Sequence, residues 1–181
     1  YMENATFNHI LGGQDPETGM ISYFIPLKTG THKMYSTEFE SFWCCVGSSF
    51  ESHAKYWESI YFHKTDELYV NLFIPSELEW KDKGLKLRME TEFPEDENVS
   101  ICIENSKPAK AAINVRWPAW CEKPVVKVNG EALEFEGAPG SYISVSRIWK
   151  DGDLISMSYP MHLECECTPD RDDLAALRYG P

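Results

Sequence analysis

Along the first sixty residues the apolar positions fall at helical spacing, and after that they fall on every second residue. Ala5, Phe7, Ile10 and Leu11 mark the last turns of an amphipathic helix that Gly12-Gly13 closes. Val46, Phe50, Ala54, Trp57 and Tyr61 recur every three to four residues and predict a helix from Val46 to Tyr61, with Ser48 or Ser49 as its cap. Between them, Gln14 to Phe42 is broken by Asp15-Pro16, Gly19, Pro26 and Gly30, which predicts a long loop carrying one small hairpin around Met20 to Leu27. Period two then takes over. Leu68-Phe73, Leu85-Phe93, Val99-Ile103, Ala111-Trp117, Val125-Val128, Tyr142-Val145, Leu154-Tyr159 and Leu163-Cys167 all read as short strands. Turn sequences separate them, among them Asn129-Gly130 and Asp151-Gly152. Short strands at this spacing, with no helical pattern between them, predict an antiparallel β-sandwich. The chain is thus mainly β, with a helical part over residues 1–62 and a sandwich over residues 63–181. The sandwich core is expected to contain Leu72, Leu87, Ile103, Ile113, Val115, Val128, Ile143, Val145, Ile155 and Leu163.

Composition changes this picture little. A chain of 181 residues with 43% hydrophobic and 13% aromatic residues can bury a core. Its 17 basic against 29 acidic residues give a net charge of -12 with no basic stripe, which argues against nucleic acid and anionic membranes as partners and leaves neutral ligands such as sugars. No apolar run reaches the roughly 20 residues of a spanning helix. Neither end carries the marks of a natural terminus, so the sequence reads as a fragment.

The candidate chemistry is concentrated in Ser41-Phe42-Trp43-Cys44-Cys45-Val46-Gly47. Adjacent cysteines do not pair with each other without distorting the backbone, so Cys44 and Cys45 are metal ligands, a nucleophile with its neighbour, or two buried free thiols. A helix mouth would lower their pKa through its free N–H groups and dipole. Cys102, Cys121, Cys165 and Cys167 show no zinc-ribbon spacing and read as free, with Cys102 in mid-strand and Cys165 and Cys167 on one strand face as buried apolar residues. Glu51 and His53 follow the pair on the same helix and either reach a bound sugar or form a solvated polar pair; Trp43 either stacks on a sugar or fills a core. His9, His32, His63 and His162 are scattered and form no metal motif.

Several segments resemble the β-L-arabinofuranosidase family of glycoside hydrolases. They are Asn8-His9-Ile10-Leu11-Gly12-Gly13-Gln14-Asp15-Pro16-Glu17-Thr18-Gly19, Ser41-Phe42-Trp43-Cys44-Cys45, Glu51-Ser52-His53-Ala54-Lys55-Tyr56, Leu68-Tyr69-Val70-Asn71-Leu72-Phe73-Ile74-Pro75-Ser76, Val115-Arg116-Trp117-Pro118-Ala119-Trp120 and Ala175-Ala176-Leu177-Arg178-Tyr179-Gly180-Pro181. The resemblance implies the last helices of an (α/α)6 barrel followed by a β-sandwich, a bacterial-type enzyme, and an arabinoside or related oligosaccharide as substrate. It also implies Cys44 as nucleophile, and zinc held by Cys44 and Cys45 with a Glu-x-Cys segment and an acid/base glutamate upstream of Tyr1. Substrate contacts from Trp43, Glu51 and His53 fit the same picture. Without the rest of the barrel, Phe7, Phe50 and Trp57 are expected to be exposed and to promote self-association, zinc to be absent or partial, and the chain to be inactive. The rival reading is a non-catalytic carbohydrate-binding or scaffolding sandwich with structural cysteines, which would present Trp80, Trp117, Trp120 and Trp149 on one face.

Overall fold

The computed structural model describes residues 1–181, which divide into two compact units: Tyr1–Glu58 together with Pro181, and Ser59–Gly180. The sequence pattern places the division at residue 62; in the structure Tyr61–His63 is already the first strand of the second unit.

The second unit is built from period-two segments, each placing one row of side chains inward. Its first sheet has the order β1-β2-β6-β9, formed by Tyr61–His63, Glu67–Val70, Ala109–Arg116 and Tyr142–Trp149. The second has the order β3-β4-β5-β10-β7-β8: Ser76–Trp80, Leu85–Thr91, Asn98–Ile103, Leu154–Ser158, Val125–Val128 and Glu131–Ala132. Every pairing is antiparallel except that of β2 with β6, which is parallel, Leu68 opposite Ile113. That departure from the expected antiparallel pattern follows from the path: the chain leaves the first sheet after β2, lays down β3 to β5 in the second, and returns beside β2 running the same way.

Val70, Ile113, Val115 and Ile143 from the first sheet, and Leu85, Leu87, Ile101, Ile103 and Ile155 from the second, are almost fully buried. Trp149 is buried and donates its indole N–H to the Ala111 carbonyl at 3.0 Å, so its one polar atom is satisfied. Phe73 stacks on Tyr159 with centroids 4.8 Å apart. Asn129 and Gly130 both take positive φ, 53° and 84°, the two-residue turn that joins β7 to β8. Of the ten residues expected in the core, nine are buried and Leu163 is not, being 68% exposed. It belongs to a separate two-stranded ribbon, β11 (Leu163–Thr168) with β12 (Arg171–Tyr179). Cys165 and Cys167, expected to be buried, are exposed on this ribbon because β11 pairs with no other strand.

The first unit is organised differently. A short α-helix, α1 (Met2–Asn4), runs into a π-helical stretch, Ala5–Leu11, and stops at Gly12. A Cβ at Gly12 would lie 2.7 Å from the Asn8 carbonyl oxygen, so only glycine fits that close approach. The long loop has two isolated bridges, Gln14 with Ile21 and Ser22 with Tyr35, and is held by the Ile21 N–H donating to Ser36 Oγ at 3.1 Å. The buried side chains here are Glu3, Thr6, Ser22 and Ser36, with Ile21 as the one buried aliphatic. The apolar stripe of the sequence therefore does not face this unit's interior: Phe50 is 81% and Trp57 70% exposed, as the sequence leads one to expect, while Phe7 is half-buried.

Candidate active site

Helix α2 spans Cys44–Lys55 and continues as a 3-10 turn, Tyr56–Ser59. It starts two residues before the expected Val46, so the cysteine pair forms its first turn rather than preceding it. Trp43 is the N-cap residue, in extended conformation with φ -72° and ψ 143°, and its side chain makes no capping hydrogen bond. Neither expected serine caps the helix: Ser48 Oγ donates back to the Cys44 carbonyl at 3.1 Å, and Ser52 Oγ to that of Ser48 at 2.9 Å. The N–H groups of the first turn are thus left without a side-chain cap, and their dipole favours negative charge at the thiols.

Cys44 is exposed and Cys45 half-buried, with Sγ atoms 4.0 Å apart. That separation is close to the roughly 3.8 Å edge of a zinc tetrahedron with Zn–S distances of about 2.3 Å. Burial pushes the Cys45 thiol above its ordinary pKa, helped by its hydrogen bond with Cys44 and the charge there. A nearby cation would oppose both effects. No group of three or more His, Cys, Asp or Glu side chains is arranged to hold a metal, so the cysteine pair brings together two thiols and no third donor of that kind. The chemistry and bite of the pair fit two corners of a zinc tetrahedron.

The other candidate residues lie apart from the thiols. Trp43 is adjacent and 36% exposed, its ring 6.0 Å from that of Tyr23 at 64°. Glu51 is exposed and seven residues beyond Cys44, on the same side of the helix but about 10 Å further along its axis. His53 lies on the side of Cys45, two turns away. Its ring meets that of Tyr56 edge to face at 5.4 Å, and both its Nε2 and the Tyr56 hydroxyl are shielded from solvent with no hydrogen-bond partner. Tyr56 went unnoticed in the sequence; its place three residues after His53, on the same helix side, was the available signal.

The remaining cysteines form no second site. Cys121 is buried, and burial pushes its thiol up to about 11. Nor do the sandwich tryptophans form a sugar platform, since Trp80, Trp117 and Trp149 are buried and Trp120, half-buried, stacks against Phe93 at 6.1 Å.

Comparison with known proteins agrees with this division. Residues 1–58 match the GH127 catalytic domain of β-L-arabinofuranosidase, and residues 67–161 match the GH127 middle domain. No curated protein matches the chain. Among solved structures, one described as a glycoside hydrolase superposes with a TM-score of 0.83 at 25% identity, over 98% of this chain and 32% of its own. A GH127 β-L-arabinofuranosidase from Geobacillus stearothermophilus T6 gives 0.85 at 24% identity, over 99% and 31%. A third, a GH127 β-arabinofuranosidase, gives 0.81 at 22%, over 99% and 31%. The chain spans about a third of the length of these structures. With the middle-domain match covering more than half of its residues and the catalytic-domain match most of the rest, the chain belongs to the β-L-arabinofuranosidase family GH127.

Proposed function

We propose that this chain is part of a longer retaining glycoside hydrolase in which Cys44 is the nucleophile and Cys44 and Cys45 are two of the zinc ligands. The observation that supports this most directly is the presentation of an exposed Cys44 Sγ in the uncapped first turn of α2, 4.0 Å from Cys45 Sγ, within the segment that matches the GH127 catalytic domain. Zinc bound there would supply the positive charge that keeps both thiols deprotonated at neutral pH. The Cys44 thiolate attacks the anomeric carbon of a β-L-arabinofuranoside, the bond to the leaving oxygen breaks, and a carboxylic acid from outside residues 1–181 protonates that oxygen. Water, activated by the same carboxylate, then releases the sugar from Cys44 with net retention. The α2 N-terminus orients the sulfur and stabilises its charge. Trp43, beside the nucleophile, is placed to cover a sugar face, whereas Glu51 and His53 could meet only a longer substrate.

The full-length protein should bind one zinc per chain. Cys44→Ala and Cys44→Ser should lower kcat/KM on an aryl β-L-arabinofuranoside by roughly 10³-fold or more, because neither side chain provides an anionic nucleophile at neutral pH. Cys45→Ser should reduce zinc content first and activity with it. Residues 1–181 alone should hydrolyse nothing, lacking the acid/base group. Turnover by full-length Cys44→Ala at the wild-type rate would remove the cysteine mechanism and leave the family assignment standing.

A further inference from the structure

The two outer faces of the sandwich are unlike. On the second sheet the outward residues of β4 are charged and tied to Glu104: Arg88 Nε donates to its carboxylate at 3.0 Å, and Lys86 pairs with it at 3.1 Å. Such a face is suited to water. On the first sheet the register turns Phe62, Tyr69, Asn114 and Ser144 outward in one row, with Arg116 and Tyr142 outward in the next. Phe62 is 50% and Tyr142 38% exposed. Tyr69 and Tyr142 stand on strands two spacings apart, about 9.6 Å, yet their rings meet edge to face with centroids 5.2 Å apart, so both lean over β6. Asn114 lies beneath them. It faces outward and is nevertheless buried, its amide donating to the Leu68 carbonyl at 3.3 Å. The Tyr142 hydroxyl donates to Asn71 Oδ1 at 2.9 Å, and the Asn71 amide donates in turn to the Ser59 carbonyl at 3.3 Å. Arg116 Nε donates to the Asn71 carbonyl at 2.6 Å. The outer rings are thus held in place before anything binds.

We propose that the outer face of the first sheet binds a neutral, arabinose-containing oligosaccharide chain. A sugar ring packs its C–H groups on aromatic side chains and needs hydrogen-bonding groups for the hydroxyls around its rim. Phe62 and Tyr142 supply the first, and the hydroxyls of the exposed Ser144 and Ser146 supply the second. Between the rings lie amide and hydroxyl groups rather than the aliphatic side chains of a protein-packing surface. The row from β1 to β9 crosses three strand spacings, about 14 Å, which is longer than one sugar ring and calls for a chain of them. The identity of the sugar rests on the family assignment, and nothing in the proposal rests on the cysteine mechanism.

Native electrophoresis of the full-length protein in gels containing soluble arabinan tests this. The wild-type protein should be retarded, and Phe62→Ala and Tyr142→Ala should each raise the Kd for arabinan roughly fivefold or more, while kcat/KM on a small aryl β-L-arabinofuranoside stays unchanged. Val125→Ala, on the second sheet, should be retarded as the wild type is, and so should Cys44→Ala, which separates this surface from the cysteine mechanism. No retardation of the wild type, or equal retardation of the wild type and both aromatic variants, would overturn the proposal and leave the role of Cys44 untouched. A lowered Tm in both variants with unchanged retardation would overturn it too, assigning the face to packing within the longer protein. Should Tyr142→Ala not fold, Phe62→Ala decides, because the Phe62 side chain holds no hydrogen bond that its removal would break.

Discussion

The two units contrast in what they keep from water. Residues 59–180 bury aliphatic and aromatic side chains from both sheets, while residues 1–58 bury Glu3, Thr6, Ser22 and Ser36 and leave Phe24, Leu27, Phe42, Phe50 and Trp57 outside. A sandwich closes over its own apolar faces because each of its strands has one inward row; a single α2 with a long loop has nothing of its own to close over. The lesson is that helical periodicity tells which side of a helix will be covered, and not by what. In the first unit, which matches the GH127 catalytic domain, Phe50 and Trp57 on that side stay open to water.

The sharpest test of the contrast is to separate the units. Residues 59–180 should unfold in one cooperative transition by calorimetry, and residues 1–58 should give none; a cooperative melt from the latter would break the comparison. Next in size are core truncations. Trp149→Ala should destabilise the second unit by about 3–5 kcal/mol in denaturant titration, whereas Phe50→Ala in the 181-residue chain should change stability by no more than about 0.5 kcal/mol. A large loss at Phe50 would show that the first unit packs on its apolar side after all.

A smaller effect than the loss of Trp149 concerns Asp153. Burial opposes its ionisation, but the Asn129 amide and the Lys150 N–H, both donating at 2.8 Å, hold its pKa below the ordinary carboxylate value. A lowered folded-state pKa means stability that is present above the ordinary carboxylate range and is lost as pH falls through the folded value. Asp153→Asn should therefore cost about 1–3 kcal/mol at pH 7 and less in acid, as pH-dependent urea melts would show. An equal cost at every pH would mean that shape and not charge matters there.

The sandwich was readable in the chain because alternation and turn residues agree. Val125–Val128 has the expected bounds, and Asn129-Gly130 is the turn it looks like. The strands that went unseen, Tyr61–His63, Ser76–Trp80 and Glu131–Ala132, lie at sheet edges, where one-sided burial is weak and polar residues dilute the pattern. Leu163, Cys165 and Cys167 alternate as core residues do, but alternation does not tell whether a second layer packs on the face they share, and in this ribbon they are exposed. At the candidate site, the thiol pair and its helix were legible from Cys44-Cys45 and the period of α2. The isolation of Glu51 and His53 from the thiols was not, since both stand on the right helix and only the rise per residue separates them.

The parallel pairing of β2 with β6 bears on the order in which the molecule can assemble. The paired residues Leu68 and Ile113 are 45 positions apart, and the intervening chain is the β3-β4-β5 meander of the opposite sheet. The hairpin β1–β2 therefore has an unfilled edge during synthesis until the opposite layer has been laid down and β6 emerges behind it. A ribosome paused before residue 109 holds a growing chain with two strand edges still to be filled, that of β2 by β6 and that of β5 by β10. That interval, rather than any property of the finished sandwich, is when this polypeptide is most exposed to pairing with a stranger.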